Sequence, residues 1–141
     1  MSSDRRSARI LAMQALCQWE VQREESSPSL ADFLADQEAS PRTAAYAAML
    51  VQEYWRQRAE IDERVASASE KWDLARISPV ERNIMRLAVV EFLKGEVPAP
   101  VIMNEAIEVG REYGGAESPR FINGVLDAAF RSIKTAMGSG D

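Results

Sequence analysis

The sequence predicts an all-α fold of six or seven helices, and three observations carry that expectation. Apolar residues recur at helical spacing along the chain, with no β-type alternation, internal repeat or low-complexity segment. Three Ser-Pro pairs, Ser40-Pro41, Ser78-Pro79 and Ser118-Pro119, stand where such patterns begin. A capping serine followed by proline at the first helical position is a helix start. Gly95 and Gly114-Gly115 stand where patterns end.

The first helix is expected from residue 4 to about 24. Ala8, Ala12, Leu16 and Trp19 make one apolar line and Ile10, Met13, Cys17 and Val21 a second, with Arg5, Arg9, Gln14 and Gln18 on the polar side. The run from Glu24 to Pro28 ends it. Ser27 or Ser29 then caps a short helix through Leu30, Phe33 and Leu34 that stops near Glu38. Ser40-Pro41 opens a pattern of Ala44, Ala47, Ala48, Val51, Tyr54 and Trp55, which continues through Ile61 and Val65 to about Ser69. No Gly or Pro interrupts it, and one long helix or two with a break near Arg58 fit equally. Trp72-Asp73-Leu74 reads as a connector.

The next start is the best written. Ser78, Pro79 and Glu81 have capping-box spacing, in which the serine oxygen takes the Glu81 amide and the Glu81 carboxylate takes the Ser78 amide. Ile84, Leu87, Ala88 and Phe92 form its stripe. A further helix starts near Pro98-Ala99-Pro100 with the stripe Ile102, Ala106 and Val109. The last starts at Ser118-Pro119, with Ser118 as its cap but Phe121 where a capping box would have Glu or Gln. Its stripe is Ile122, Val125, Leu126, Ala129 and Ile133, and the tail from about 137 to 141 should fray.

Composition narrows the class. At 141 residues a single domain buries roughly 68–70% of its unfolded surface, enough for a core without staples. Cys17 is the only cysteine and there is no histidine, so a disulfide framework, histidine catalysis and histidine metal sites are excluded. No membrane span or secretory signal is legible, which points to the cytosol. The net charge is −5, yet residues 1–10 hold Arg5, Arg6 and Arg9 against Asp4 alone. A basic end on an acidic body would hold RNA weakly and lean on a partner.

Several residues admit a functional and a plain reading. Arg5, Arg6 and Arg9 lie in the first turns of a helix, where the macrodipole disfavours cations by about 0.3–1 kcal/mol each. They are either phosphate contacts or a solvated basic start. Arg120, Phe121 and Asn123 at the last helix start can hold a phosphate and stack an unpaired base. Phe121 also falls at core spacing with Val125 and Ala129. Glu81 completes a capping box, and Arg82 reads as solvated. Cys17 lies on an apolar line and reads as a small hydrophobe. No P-loop, Gly-rich cofactor loop or metal-ligand cluster is present, and the carboxylates lie on helix faces instead of across a cleft.

The segments VERNIMRLAVVEF, P-x-x-V-I-M-NEAIE and FINGVLD together resemble the NusB family of transcription antitermination proteins. RRSARILAMQALCQWE resembles that family's Arg-rich opening helix and its AxQALYxW-like core, whereas residues 25–71 match only in length and helical character. The resemblance implies two small, orthogonally packed helical bundles in one NusB-like RNA-binding domain over residues 1–141. It implies no cofactor, no metal and no enzymatic activity. The expected role is a cytoplasmic adaptor that binds boxA-type single-stranded leader RNA with the ribosomal protein NusE. That complex joins the elongating RNA polymerase on ribosomal RNA operons.

Carried over residue by residue, the resemblance puts Arg5, Arg6 and Arg9 on the RNA. It sets Arg120, Phe121 and Asn123 along the RNA site, with Glu117 restraining affinity by repulsion. It assigns Glu81 and Arg82 to the NusE interface, the Glu81 carboxylate remaining partly exposed. Arg86, Glu91, Asn104 and Glu105 are expected to be structural, with Arg86 in reach of Glu105. Ser7 and Cys17 depart from the family's basic and aromatic positions. With three or four phosphate contacts, log affinity should fall against log salt with a slope of about −2 to −3. Rival readings remain: a protein-interaction module whose RNA binding has decayed, or a detached domain like that which begins some ribosomal RNA cytosine methyltransferases. Some relatives also self-associate, so a homodimer stays open.

Overall fold

A computed structural model describes residues 2–22, 39–72 and 77–138. Among these residues there are six α-helices and no strand. They are α1 (Ser2–Gln22), α2 (Pro41–Arg56), α3 (Arg58–Ala68), α4 (Pro79–Lys94), α5 (Ala99–Tyr113) and α6 (Ser118–Ala136). The short helix expected through Leu30, Phe33 and Leu34 lies outside the described residues, as do Asp73, Leu74 and residues 139–141.

Everything is arranged about α4, which touches each of the other five described helices. α1 pairs closely with α2, α5 pairs with α6, both pairs lie against α4, and α3 reaches from α4 to α6. The result is the expected all-α class, with two helix groups sharing one central helix. The expected stripe on α4 understates its burial. Besides Ile84, Leu87, Ala88 and Phe92, the structure covers Met85, Val89 and Val90, and also the polar Asn83 and Glu91. A fully buried aliphatic side chain contributes roughly 1.5–3 kcal/mol. α4 therefore carries much of the apolar stabilisation, and its polar groups must find partners inside.

Small residues let α1 and α2 approach closely: Ala8, Ala12 and Ala15 on α1 and Ala47 on α2 are all buried. The second apolar line of α1 is only partly used, since Ile10 and Cys17 are half-buried and Val21 is 79% exposed. The run from residue 41 to 69 is two helices, broken at Gln57 (φ −111°, ψ 24°). No Gly or Pro causes the break. α2 lies on α1 and α4, whereas α3 lies on α4 and α6, and the bend at Gln57 gives each segment its own set of neighbours.

α4 has both halves of its capping box: the Glu81 N–H donates to Ser78 Oγ at 3.1 Å, and the Ser78 N–H donates to Glu81 Oε1 at 3.0 Å. It ends at Gly95 in the left-handed region (φ 72°), whose N–H donates to the Glu91 carbonyl at 3.0 Å. A methyl group at Gly95 would meet nothing within 4 Å, so its only penalty is backbone strain of about 1–2 kcal/mol. Gly95→Ala should lower the unfolding free energy by that amount, read as a lower urea midpoint with an unchanged slope. Gly95→Asn should lose less, because asparagine tolerates this conformation.

Candidate nucleic-acid and partner interface

The three arginines at the start of α1 have different surroundings. Arg9 is 11% exposed and donates from Nε and Nη2 to both oxygens of Glu91 at 2.7 and 2.9 Å; Glu91 is 3% exposed. Glu105 lies at 3.7 Å from the same guanidinium. Burial by itself would lower the Arg9 pKa, and the hydrogen bond and charge of Glu91 more than offset it, so the pKa is raised. Arg6, three residues earlier on the same side, makes a two-pronged pair with Glu105 at 2.8 and 2.7 Å and stays 49% exposed. Arg5 is exposed, and its guanidinium lies 4.8 Å from the centre of the Tyr46 ring on α2. Of the three, only Arg5 has no carboxylate partner among the described residues.

At the start of α4 the Glu81 carboxylate turns inward. Its side chain is buried, and Oε2 accepts a 2.6 Å hydrogen bond from the Ser118 hydroxyl. The expectation of a partly exposed carboxylate is therefore corrected: α6 lies over it. Ser118 is corrected as well. It is the first residue of α6 and not its cap, and the residue before the helix, Glu117, makes no side-chain capping bond. The turn after Gly114 aims the Ser118 hydroxyl at Glu81, while Ser118 Oγ also accepts from the Gly115 N–H at 2.9 Å. One serine thus ties the start of α6 to the start of α4.

Arg82 remains 34% exposed and donates to Glu20 of α1 at 3.0 Å. Arg86 does not reach Glu105. It pairs with Asp62 of α3 at 2.9 Å and lies 3.4 Å from Glu20, because it points toward α1 and α3 while Glu105 faces Arg6. Asn83 joins this network, donating to Glu20 Oε1 at 2.7 Å and accepting from Arg86 at 3.0 Å. The buried Tyr54 hydroxyl donates to Asp62, and burial above all pushes its pKa up. Burial also raises the Cys17 thiol, which disfavours the reactive thiolate. Asn104 is exposed and takes no part.

Glu117, Arg120 and Asn123 are exposed at the start of α6. Phe121 is not: it is 8% exposed, and Trp72 meets it edge-on with centroids 4.9 Å apart. The ring belongs to the core. Trp72, read from the sequence as a connector, is the aromatic that reaches solvent here, at 37% exposure. It lies where a side chain at Gly124 would stand, since a methyl there would meet its ring at 3.0 Å. Sequence reading also missed Arg42 and Tyr46. Their i, i+4 spacing just after Pro41 was the available signal. Among the described residues no group of His, Cys, Asp or Glu could hold a metal ion, and no helix is long and apolar enough to cross a membrane.

An all-helical core locked by interhelical ion pairs, with exposed arginines at several helix starts, is the build of a helical binding protein. The NusB family model matches residues 6–131, and the chain belongs to the NusB family. It is 41% identical over 137 residues to the transcription antitermination protein NusB of Anaeromyxobacter dehalogenans, covering 96% of each chain. It is 38% identical over 130 residues to the protein of that name from Syntrophus aciditrophicus, covering 92% of this chain and 81% of the relative. T. maritima NusB superposes with a TM-score of 0.78 at 32% identity over 90% of both chains. A crystal structure of the antitermination factors NusB and NusE in complex with double-stranded RNA contains a chain matching at TM-score 0.80 and 26% identity, over 94% of this chain and 99% of that one.

Breaking a buried ion pair leaves an uncompensated charge, at a cost of about 3–5 kcal/mol. Arg9→Ala should therefore destabilise the fold by about that much in chemical denaturation, and adding Glu91→Gln should recover a good part of the loss. The Arg6 hydrogen bond, partly opposed by burial, holds Glu105 below its ordinary pKa of 4.5. A depressed carboxylate contributes stability that is fully present above the unfolded value and is lost as pH falls through the folded one. Glu105→Gln should accordingly flatten the fall of stability below about pH 4.5, read as unfolding midpoints across an acid series.

Proposed function

We propose that this chain is a transcription antitermination factor that binds boxA-type single-stranded leader RNA together with the ribosomal protein NusE and delivers both to the elongating RNA polymerase. The observation that carries this reading is the NusB family match over residues 6–131, in a chain whose fold matches one solved with NusE and RNA. It acts as a single NusB-like domain in the cytoplasm and turns nothing over. Two edges serve the RNA. On α1, Arg5 has no carboxylate partner among the described residues and the half-exposed Arg6 can exchange Glu105 for a phosphate, while Arg9 supports them from within. On α6, Arg120 and Asn123 are open to solvent, Glu117 adds a repelling charge, and Phe121 acts through the Trp72 ring it supports.

The start of α4 serves NusE. Arg82 is the accessible group there, and the buried Glu81 holds α4 and α6 in register beneath it. The net charge of −5 opposes RNA, so affinity depends on the partner's added contacts.

Fluorescence anisotropy tests this with labelled boxA-like RNA, a scrambled strand and a duplex of the same sequence, since the matching complex contains double-stranded RNA. Each is titrated with this protein alone and with its cognate NusE. The boxA-like single strand should bind best, and more tightly with NusE. Arg5→Ala should weaken it. NusE binding with no gain for any RNA would reject the RNA half; preference for the duplex would reject single-strand reading.

A further inference from the structure

We propose that the open groove between α1 and α2 is a nucleotide subsite, in which Arg5 offers its plane to one unpaired base and Arg42 takes an adjacent phosphate. This rests on the RNA-binding reading above and extends the RNA path from α1 onto α2. The groove has a volume of about 370 Å³ and is lined by Asp4, Arg5, Arg42, Ala45, Tyr46 and Met49. That is within the roughly 300–1,000 Å³ of small-molecule sites.

The ion pairing of the whole molecule singles this groove out. Among the described residues eight arginines, at positions 6, 9, 56, 64, 82, 86, 111 and 131, sit in ion pairs. Arg5, Arg42, Arg58 and Arg120 do not, and Arg58 is stacked over Trp55 at 3.8 Å. Two of the remaining three converge on one groove.

The geometry suits a base beside a phosphate. Tyr46 is half-buried and supports the Arg5 guanidinium at 4.8 Å, with Arg9 at 5.9 Å from the same ring. A guanidinium backed by an aromatic ring leaves one plane open, and unpaired bases stack on such planes. Ala45 and Met49 supply apolar wall. Arg42 lies in the first turn of α2, where the helix dipole favours an anion. Asp4 is the one acid in the groove. Its carboxylate accepts from Thr43 Oγ1 at 3.5 Å, and Ser40 Oγ accepts from the Thr43 N–H at 3.2 Å. Neither arginine is neutralised by it, and the lining keeps a net positive charge.

The test uses the full chain with its cognate NusE and boxA-like RNA carrying 5-iodouridine at successive positions. Ultraviolet crosslinks are mapped by mass spectrometry, and affinity is measured for Arg42→Ala, a change on an exposed side chain. The expected result is a crosslink within the α2 wall of the groove, residues 42–49, from one or two neighbouring positions. Arg42→Ala should weaken binding roughly threefold or more and reduce the salt slope by about 0.7. Both effects should vanish when the RNA is shortened past those positions. Tight RNA binding with no crosslink within residues 42–49 and no effect of Arg42→Ala would overturn the subsite and leave the antitermination reading intact. Absence of any RNA binding beside normal NusE binding would overturn both. Binding of polyglutamate that Arg42→Ala abolishes, with no crosslink to RNA, would assign the groove to an acidic peptide and overturn the proposal.

Discussion

A helix in contact with five others cannot leave its inward polar groups to water, and α4 is such a helix. Glu81, Asn83, Arg86 and Glu91 all lie along it among its apolar residues. A buried polar group without a partner costs about 1–3 kcal/mol and a buried charge more. Each of these side chains is met by a group from another helix: Ser118 for Glu81, Glu20 for Asn83, Asp62 for Arg86, Arg9 for Glu91. No buried side-chain nitrogen or oxygen among the described residues lacks a hydrogen bond. α1, α3 and α6 are thus held to α4 by directional bonds as well as by apolar contact. Such bonds require a particular register, which apolar contact alone does not.

That requirement divides the residues that a polyanion would meet. A cluster of three arginines in the first turns of a helix looks like one basic patch, yet successive residues on a helix face different ways. Arg9 faces α4 and closes on Glu91; Arg6 faces Glu105 of α5; Arg5 faces α2. The same division applies to the start of α6, where Phe121 turns into the core under Trp72 while Arg120 and Asn123 turn out. A protein with this distribution has few free cations on an acidic body.

The link between Glu81 and Ser118 bears on how two edges of one small protein work together. The start of α4 and the turn that begins α6 are tied by one 2.6 Å hydrogen bond from the Ser118 hydroxyl to the Glu81 carboxylate. The α4 surface that carries Arg82 and the α6 start that carries Arg120 share this contact in addition to their apolar packing.

Much of this protein was legible in its sequence. Helical spacing, the Ser78–Glu81 capping box and the stop at Gly95 are local features, because their partners lie within one turn of the chain. They determined the class and the position of α4, whereas the family resemblance rested on the segments VERNIMRLAVVEF, P-x-x-V-I-M-NEAIE and FINGVLD. What only the tertiary structure decided are the contacts between residues far apart in sequence. Arg86 chose Asp62 over Glu105, the Ser118 hydroxyl left its own helix start for Glu81, and Phe121 went inward beneath Trp72. The break at Gln57 and the groove of Arg5, Arg42 and Tyr46 belong to the same group. A side chain with several chemically adequate partners takes the one that helix packing brings within about 3 Å. Spacing along the chain holds no record of that distance.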